Sequence, residues 1–497
     1  MAENPDKLIV SNRSALLKKY GLAGLALIEA AVKQLIAADK RRKITSRLVY
    51  LDQKEVREFH ARPISKPSNV RENKNAIDAL FRSCDPDYVM LLGSQDVIPH
   101  VKLGNLAHDE DGLIIDSDLP YACDSRFSRN PRHFLAPTRV VGRLPDINGG
   151  KDPAYIIRLL EIATKTRPQP REGFATWFAL SAKDWTGSSA ITAASLFNEV
   201  DALELSPPAG PGKLKDLDRA RVHFFNCHGD RGANTFWGQR GKSQPRSFHR
   251  SDVPQRLLPG TFIAAECCYG AEQYAPDRKR PSISATYLFN GAAAYVGSTT
   301  IAYGPETGQD DADLIAQYFV SFVLRGHSVG RAFLEAQQKF IKTSAPRIDS
   351  IELKTLTQFL LLGDPSLQVV EPQHRSLAVK NGKILIESKP ADKRVFRKLR
   401  RKQLKESGDL AAESVETPRN AGKRIGTDRH RKFSKLARAN GLKTFAAATF
   451  RFGDRKNDET HYVYVEKKKS KNRRHRPRVI IFKEIGHRVD VRLYEPK

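Results

Sequence analysis

Two apolar segments of the chain each end in a reactive side chain, a histidine in the first and a cysteine in the second. The segment Phe224–Gly229 (FFNCHG) contains His228, and the segment Thr261–Gly270 (TFIAAECCYG) contains Cys268. A thiolate is a strong nucleophile, and a neighbouring imidazole can generate it and later protonate a leaving amine. Buried parallel strands are continuous apolar runs, and active sites of open α/β sheets lie beyond their carboxyl ends. The two segments therefore predict a Cys/His pair at neighbouring strand ends.

Each residue alone also has an ordinary structural interpretation. A histidine after an apolar strand is often packed or hydrogen-bonded, and a cysteine there is often a small buried hydrophobe. The nearby glycines, Gly229 and Gly270, favour catalysis because they let the backbone turn tightly and direct N–H groups toward an oxyanion. A vicinal disulfide or a metal pair at Cys267 and Cys268 is another alternative, but the five cysteines show no CxxC spacing.

Seven segments, in the same order, resemble those of the gingipain-like cysteine peptidases of the caspase-type clan. They cover roughly residues 80 to 370, and their ordered succession is far more specific than any one of them. They are the strand and turn Tyr88–Pro99, the SD-x-x-Y element Ser117–Tyr121, the Gly-Arg strand Val140–Arg143, the histidine loop His228–Gly238, the nucleophile strand Phe262–Cys268, the pocket wall Gly297–Thr299 with Gly308–Asp310, and the GDPSL element Leu362–Leu367. The resemblance implies a caspase-like α/β fold with two parallel-sheet subdomains, and a cysteine endopeptidase.

The resemblance also implies roles for the residues of the site. Cys268 is expected to be the nucleophile and Cys267 the small residue before it, with Cys267 kept as the alternative. The alternation of side chains along a strand agrees, since only one of two adjacent residues can meet His228. His228 is expected to act as general base and then acid, with the amides of Gly229 and Cys268 as the oxyanion hole.

One position departs from the family pattern. Gingipains carry a carboxylate that supports the histidine at the start of the Gly-Arg strand, whereas Thr138 or Arg139 stands there in this chain. A Cys/His dyad without that carboxylate can still work, but its rate and pH optimum are then unknown.

Substrate selection is predicted from the same resemblance. A pocket that selects Arg or Lys needs a buried acid, since an unpaired cation is costly to desolvate. In arginine-selective gingipains that acid follows the Gly-Arg strand, which indicates Asp152, with Asp146 close by. Asp152 followed by Pro153 equally suits the N-cap of a helix. The other predicted substrate contacts are Trp237, Ser298, Thr299 and Tyr303.

Positive charge is concentrated towards the end of the chain. Residues 375–497 carry 36 of the 84 Lys and Arg residues but only 14 of the 56 Asp and Glu residues, a net charge of +22 out of +28. Self-repulsion favours disorder around Lys393–Arg438, where apolar residues are sparse. Strands are predicted at Leu377–Glu387, Thr444–Phe452, His461–Glu466 and Val479–Tyr494. This basic β-rich module is expected to bind nucleic acid or another polyanion, with a solubilising or autoinhibitory tail as the alternative.

The chain of 497 residues is long enough for several domains. We predict an N-terminal α/β subdomain (1–145), a caspase-like catalytic subdomain (146–372) and the basic C-terminal module (373–497). Predicted elements include helices at Ser14–Ala38 and Ala154–Ala163 and strands at Tyr88–Leu92, Val222–Asn226, Phe262–Ala265 and Ala292–Val296.

Composition sets the remaining expectations. No signal-peptide pattern and no apolar stretch approaching eighteen residues is seen, so a cytoplasmic protein without a membrane partner is expected. Low cysteine content suits a reducing compartment. No cofactor or metal is expected, since no calcium-loop spacing is found. The competing functional class is a catalytically silent, peptidase-like scaffold whose basic module binds nucleic acid.

Overall fold

The computed structural model describes residues 4–109, 112–232, 234–272, 281–305, 308–344, 348–372, 379–380, 383–384, 427–452, 459–466, 478–485 and 488–496. Its strands are β1 (Lys7–Ser11), β2 (Ser46–Tyr50), β3 (Tyr88–Leu92), β4 (Val101–Gly104), β5 (Ile114–Ser117), β6 (Val141–Leu144), β7 (Trp177–Ala182), β8 (Leu203–Ser206), β9 (Val222–Asn226), β10 (Thr235–Trp237), β11 (Arg246–His249), β12 (Phe262–Ala265), β13 (Ala294–Ser298), β14 (Tyr303–Pro305), β15 (Phe359–Gly363), β16 (Val379–Lys380), β17 (Lys383–Ile384), β18 (Phe445–Phe452), β19 (Glu459–Glu466), β20 (Val479–Ile485) and β21 (Arg488–Pro496). Its helices are α1 (Arg13–Arg41), α2 (Val70–Cys84), α3 (Ala154–Lys165), α4 (Thr186–Phe197), α5 (Ile283–Phe289), α6 (Asp311–Leu324), α7 (Val329–Ser344), α8 (Ser350–Gln358) and α9 (Thr427–Ala439).

Ten strands form one large sheet in the order β2-β1-β3-β6-β15-β13-β12-β9-β7-β8. Neighbouring strands are parallel except β13 and β15, which are antiparallel. Two parallel blocks therefore run in opposite directions and meet at that pair. Strands β9 and β12 are buried at every residue, which explains their continuous apolar runs. The predicted mixed α/β fold with a mostly parallel sheet is confirmed, while the boundaries at 145 and 372 stay predictions.

Helix α1 is long and apolar enough, by length and composition alone, to span a membrane. This corrects the expectation that no segment approaches that length. In the structure, however, Leu25, Ile28 and Leu35 are buried, and the helix packs against α3 and β2. Gly21, with a φ of 68°, interrupts the helical backbone. The helix therefore buries one apolar face, while Leu22 and Leu27 on its other side are exposed.

Several of the segments that resemble the peptidase family form a buried polar network under the sheet. Asp118 accepts hydrogen bonds from the Arg143 guanidinium at 2.6 and 2.7 Å and lies 2.8 Å from Nδ1 of His100. Arg143 also donates to the carbonyl oxygens of Gly93 and Ile98, both at 2.8 Å. A buried guanidinium needs this degree of pairing, so the SD-x-x-Y and Gly-Arg segments have a structural role here.

The strands β18 to β21, which we call the C-terminal sheet, have two buried faces. Alternate side chains on one face pack against α9 and are Tyr462, Tyr464, Ile480 and Phe482. The other face carries Val463, Val465, Val479, Ile481 and Tyr494, and it packs against the catalytic region. Strands with this alternation suit a sheet covered on both sides. The predicted small antiparallel sheet is therefore present, but its described faces are both packed.

The predicted disorder around Lys393–Arg438 is wrong for its last residues, because residues 427–438 belong to α9. Apolar side chains at helical spacing, Phe433 and Ala437, bury one side of this helix. Residues 393–426 lie outside the described residues. The predicted strand pair at Leu377–Glu387 is described only at β16 and β17, which pair antiparallel.

Candidate active site

The sheet brings the two predicted catalytic residues to the same edge. Strands β9 and β12 are parallel neighbours, with Ala265 opposite Phe225 at their carboxyl ends. His228 follows β9 by two residues, and Cys268 follows β12 by three. A Cβ atom built on Gly229 would lie 1.8 Å from the carbonyl oxygen of Cys268 and 3.0 Å from its amide nitrogen. Glycine at 229 is therefore required for the two loops to touch.

The loop after β9 fixes the imidazole of His228 on two sides. Its backbone N–H donates to the Trp237 carbonyl at 2.9 Å, and the Trp237 N–H donates back at 2.8 Å. The ring of Trp185 lies edge-on to the imidazole, with 4.4 Å between ring centroids. On the ring itself, Nε2 lies 2.5 Å from Oε1 of Gln239. An acceptor at Nε2 holds the proton there and leaves Nδ1 as the basic nitrogen.

Gln239 is held in place by its own backbone. Its N–H donates to the Ser206 carbonyl at 3.0 Å, and its carbonyl accepts from the Asp184 N–H at 3.2 Å. Its side-chain Nε2 donates to the Gly241 carbonyl at 3.2 Å. Sequence reasoning missed Gln239, although it lies just past the histidine loop. Arg139, in the place of the family's carboxylate, is buried and ion-paired with Asp78.

The two adjacent cysteines have different surroundings. Sγ of Cys267 points to the Phe225 carbonyl, 3.9 Å away in the main core, and burial raises the pKa of this thiol well above its ordinary value. Sγ of Cys268 lies 3.5 Å from the Ala302 carbonyl, in a separate apolar cluster with Tyr269 and Tyr303. A thiol held neutral in the core is a poor nucleophile. Cys267 is thus a thiol of the main core, and Cys268, whose backbone contacts Gly229, stays the predicted nucleophile.

Predicted substrate-binding residues fall into different places. Trp237 pairs with His228 through backbone hydrogen bonds. Tyr303 is the first residue of β14 and belongs to the apolar cluster around Cys268. Ser298 is buried, and its hydroxyl donates to the carbonyl of Cys267 at 3.0 Å, which helps to hold the segment that follows β12. Thr299 donates to the carbonyl of Asp116 at 2.8 Å.

The two acids predicted from the family lie near α3 and α1. Asp152 is exposed and accepts a hydrogen bond at 2.9 Å from the Ala154 N–H, which is the helix-capping alternative. Asp146 is buried and lies 2.7 Å from Nζ of Lys19. The contacts of Asp152 are thus structural, and its role in specificity stays a prediction.

Four acidic side chains, three of them buried, lie beside the apolar cluster that contains Cys268 and Ile351. This acidic cluster comprises two residues at the start of α6 and two at the start of α8: Asp310, Asp311, Asp349 and Glu352. Asp349 and Glu352 form a reciprocal capping box, with Asp349 accepting from the Glu352 N–H at 2.9 Å. Asp311 has a φ of 46°, and its Oδ2 has no hydrogen-bond partner among the described residues.

The acidic groups affect one another's protonation. Burial and the neighbouring carboxylates raise the pKa of Asp311 well above its ordinary value. Burial and Asp349 raise the pKa of Glu352 to about 7. Asp349 is the exception: although burial opposes ionisation, the Lys483 ammonium and the Tyr494 hydroxyl keep its pKa below the ordinary value. The cluster is therefore electrostatically suited to hold cations.

One segment of the chain matches a known family of cysteine peptidases. Residues 222–370 match the model of peptidase family C25, the gingipain family, which confirms the resemblance found in the sequence. The matched segment runs from β9 to beyond β15 and contains both His228 and Cys268. No curated protein matches the chain significantly.

Three solved structures are similar to the chain. One, titled "Structure of Protease", is 12% identical with a TM-score of 0.47, and the match covers 98% of this chain and 96% of that one. Two are separase–securin complexes from Saccharomyces cerevisiae, at 13% and 11% identity with TM-scores of 0.30 and 0.35. Those matches cover 47% and 69% of this chain but only 14% and 23% of the separase chains.

Proposed function

We propose that the chain is an active cysteine endopeptidase that uses Cys268 and His228. The observation that carries this proposal is the contact of Gly229 with the backbone of Cys268, at the carboxyl ends of two neighbouring parallel strands. This contact places an imidazole and a thiol on one edge of the sheet, as nucleophilic catalysis requires. Gln239 then acts as a positioning residue that holds the imidazole through Nε2.

The reaction follows from these positions. Nδ1 of His228 takes the thiol proton, and the thiolate of Cys268 adds to the carbonyl carbon of the scissile peptide bond. Backbone N–H groups of Gly229 and Cys268 stabilise the oxyanion. The imidazolium protonates the leaving amine, the C–N bond breaks, and a thioester remains. Water, deprotonated by His228, then releases the acid and restores the thiol.

We further propose that cleavage follows Arg or Lys. The acidic cluster supports this preference better than Asp152 does, because Asp152 is exposed while Asp349 and Glu352 are buried. Buried carboxylates can offset the desolvation cost of a guanidinium through charge-assisted hydrogen bonds.

The five cysteines are free and buried, which supports the proposed cytoplasmic location.

Peptide cleavage by the purified chain tests the catalytic proposal. The wild type and Cys267→Ala are expected to cleave a peptide library after Arg and Lys, whereas Cys268→Ala leaves every peptide intact. Mass spectrometry of the products identifies the residue before each cut. Equal cleavage by Cys268→Ala and the wild type would exclude Cys268 as nucleophile, and cleavage after acidic or apolar residues would exclude the proposed preference.

A second candidate function is polyanion binding through α9 rather than through the sheet. The helix exposes four cations away from the sheet: Arg431, Lys432, Lys435 and Arg438. Such a stripe attracts a phosphate backbone, and binding should weaken steeply with salt. We expect retention of the full chain on immobilised DNA at low salt and loss of retention in Arg431→Glu/Lys435→Glu. A chain that flows through at low salt would remove this function.

A further inference from the structure

The last strand of the chain is paired with the strand that follows the nucleophile loop. Residues 303–305 of β14 pair antiparallel with β21, with Tyr303 opposite Pro496 and Pro305 opposite Tyr494. The carbonyl of Ala302, the residue just before β14, lies 3.5 Å from Sγ of Cys268. An edge strand at this place is a ready template for an extended peptide. In the structure that edge is taken by β21.

Cations of the C-terminal sheet fill the acidic cluster. Nη1 of Arg492 lies 2.7 Å from Glu352 and 3.7 Å from Asp310. Nζ of Lys483 lies 2.9 Å from Asp349 and 3.8 Å from Glu352. Asp349 and Glu352 are almost fully buried in this arrangement, with side chains 0% and 2% exposed. The cluster thus already binds one guanidinium and one ammonium.

The same sheet helps to form the apolar cluster in which the proposed nucleophile is buried. Cys268 is 0% exposed and belongs to one apolar cluster with Ile301, Tyr303 and Ile351 of the catalytic region and with the inner face of the C-terminal sheet. Tyr494 of β21 joins the two contacts, since it lies in this cluster and its hydroxyl donates to Oδ2 of Asp349 at 2.5 Å. A peptide can therefore reach this thiol only in molecules whose sheet has moved away, which limits the rate of cleavage by the wild type.

We propose that β14 and the acidic cluster form the binding site for a basic, extended peptide, and that the C-terminal sheet occupies this site as an intramolecular competitor. β21 supplies the strand, and Arg492 supplies the basic side chain. Substrate takes the same edge and the same carboxylates once the sheet has moved away. This inference rests on the proposed peptidase function and adds its specificity-determining residues and its regulation.

The charges indicate how the closed arrangement is held. Removing both cations would leave the two buried carboxylates of Asp349 and Glu352 without their ion-pair partners, and replacing the cations with acids would add direct repulsion. The double variant Arg492→Glu/Lys483→Glu is therefore expected to detach the sheet. Amide exchange at β14 and β21 should accelerate at least tenfold, and alkylation of Cys268 by iodoacetamide should accelerate by a similar factor.

The matched control is Lys33→Glu/Lys443→Glu, which makes the same change of charge at two exposed positions, one on α1 and one just before β18. It should leave both rates within twofold of the wild type. Unchanged exchange in Arg492→Glu/Lys483→Glu would overturn the proposal, because the acidic cluster would then not hold the sheet. Faster exchange without faster alkylation would overturn it too, because the sheet would then not cover the nucleophile.

An acyloxymethyl-ketone probe with Arg at its reactive end tests the specificity. In the opened variant, the Arg probe is expected to label Cys268 at least tenfold faster than the corresponding Ala probe, and adding Asp310→Asn and Glu352→Gln should remove most of that preference. Retained preference would exclude the acidic cluster as the basic-residue site. Rapid alkylation of Cys268 with no labelling by either probe would instead contradict the peptidase function, while the covering role of the sheet would stand.

Discussion

Gly229→Ala is expected to lower kcat/KM for peptide cleavage at least 10²-fold. The added Cβ would lie 1.8 Å from the carbonyl oxygen of Cys268, although such contacts need about 3 Å. The backbone of residue 229 fixes the position of the Cβ, and the oxygen belongs to the backbone of Cys268, so no side-chain rotation can relieve the clash. The histidine and cysteine loops must move apart by about 1 Å, and a displacement of that size costs roughly 10²-fold in rate. Activity is measured with the peptide that the wild type cleaves best.

Gly187→Ala is the matched control for this variant. Gly187 is exposed in α4, and a Cβ there meets no atom within 4 Å. Its replacement should leave the rate unchanged and raise stability by up to about 1 kcal/mol. Circular dichroism shows whether Gly229→Ala keeps its secondary structure. A folded Gly229→Ala with activity within threefold of the wild type would contradict the close contact between the two loops.

Lys7→Met is expected to lower the free energy of unfolding by roughly 3–5 kcal/mol at neutral pH. Nζ of Lys7 donates to Asp39 at 2.9 Å, to Asp364 and to Ser366 at 3.1 Å, and the side chains of Lys7 and both acids are 0% exposed. Methionine fills a similar volume but leaves Asp364 in the core without a cation, while Asp39 keeps only the Arg42 guanidinium at 3.1 Å. Urea denaturation measures the loss.

The pH dependence of the Lys7 variant should differ in sign from that of the wild type. In the wild type, burial opposes ionisation of Asp364, but the Lys7 ammonium holds its pKa below the ordinary value of 3.8. Its stabilising contribution is therefore present above that pH and lost as the pH falls through the lowered pKa. Without the cation, burial raises the pKa of Asp364, so stability falls as pH rises.

Two comparisons check the assignment to Lys7. Lys7→Met should lose more stability at pH 8 than at pH 5, and adding Asp364→Asn should flatten that difference. Lys33→Met, on the exposed side of α1, should change stability by less than about 0.5 kcal/mol. Equal losses at both pH values would mean that the buried carboxylates are not the source of the effect.

Buried strands could be predicted closely from the sequence. The predicted bounds of β3, β9 and β12 agree with the structure, because each is a short apolar run that ends at polar or glycine residues. The end of α1 was predicted three residues early, and α9 was missed. The segment has few apolar side chains and many charged ones, so its local pattern does not predict a helix. The helix is stabilised by packing against the C-terminal sheet.

The proximity of the two catalytic candidates could be predicted because β9 and β12, the strands that precede them, are parallel neighbours in the sheet. His228 and Cys268 each follow such a strand within three residues, and the order of the segments resembles that of a known family. Gln239 could not be predicted, since an amide acquires its role only when a loop folds back onto the imidazole. The ion pair between Glu352 and Arg492 joins residues 140 positions apart, and no local spacing indicates it.

The position of β15 between β6 and β13 sets the order in which the sheet can assemble while the chain is being synthesised. Strand β15, which joins the first parallel block to β13, is complete only when residue 363 has been synthesised. The two parallel blocks therefore cannot join before that point. The covering strand β21 begins about 125 residues later, which at typical elongation rates is roughly 6–25 s. Each newly made chain thus passes through an interval in which its sheet is complete but its own competitor does not yet exist. Synthesis itself provides a brief uncovered state, before any displacement is needed.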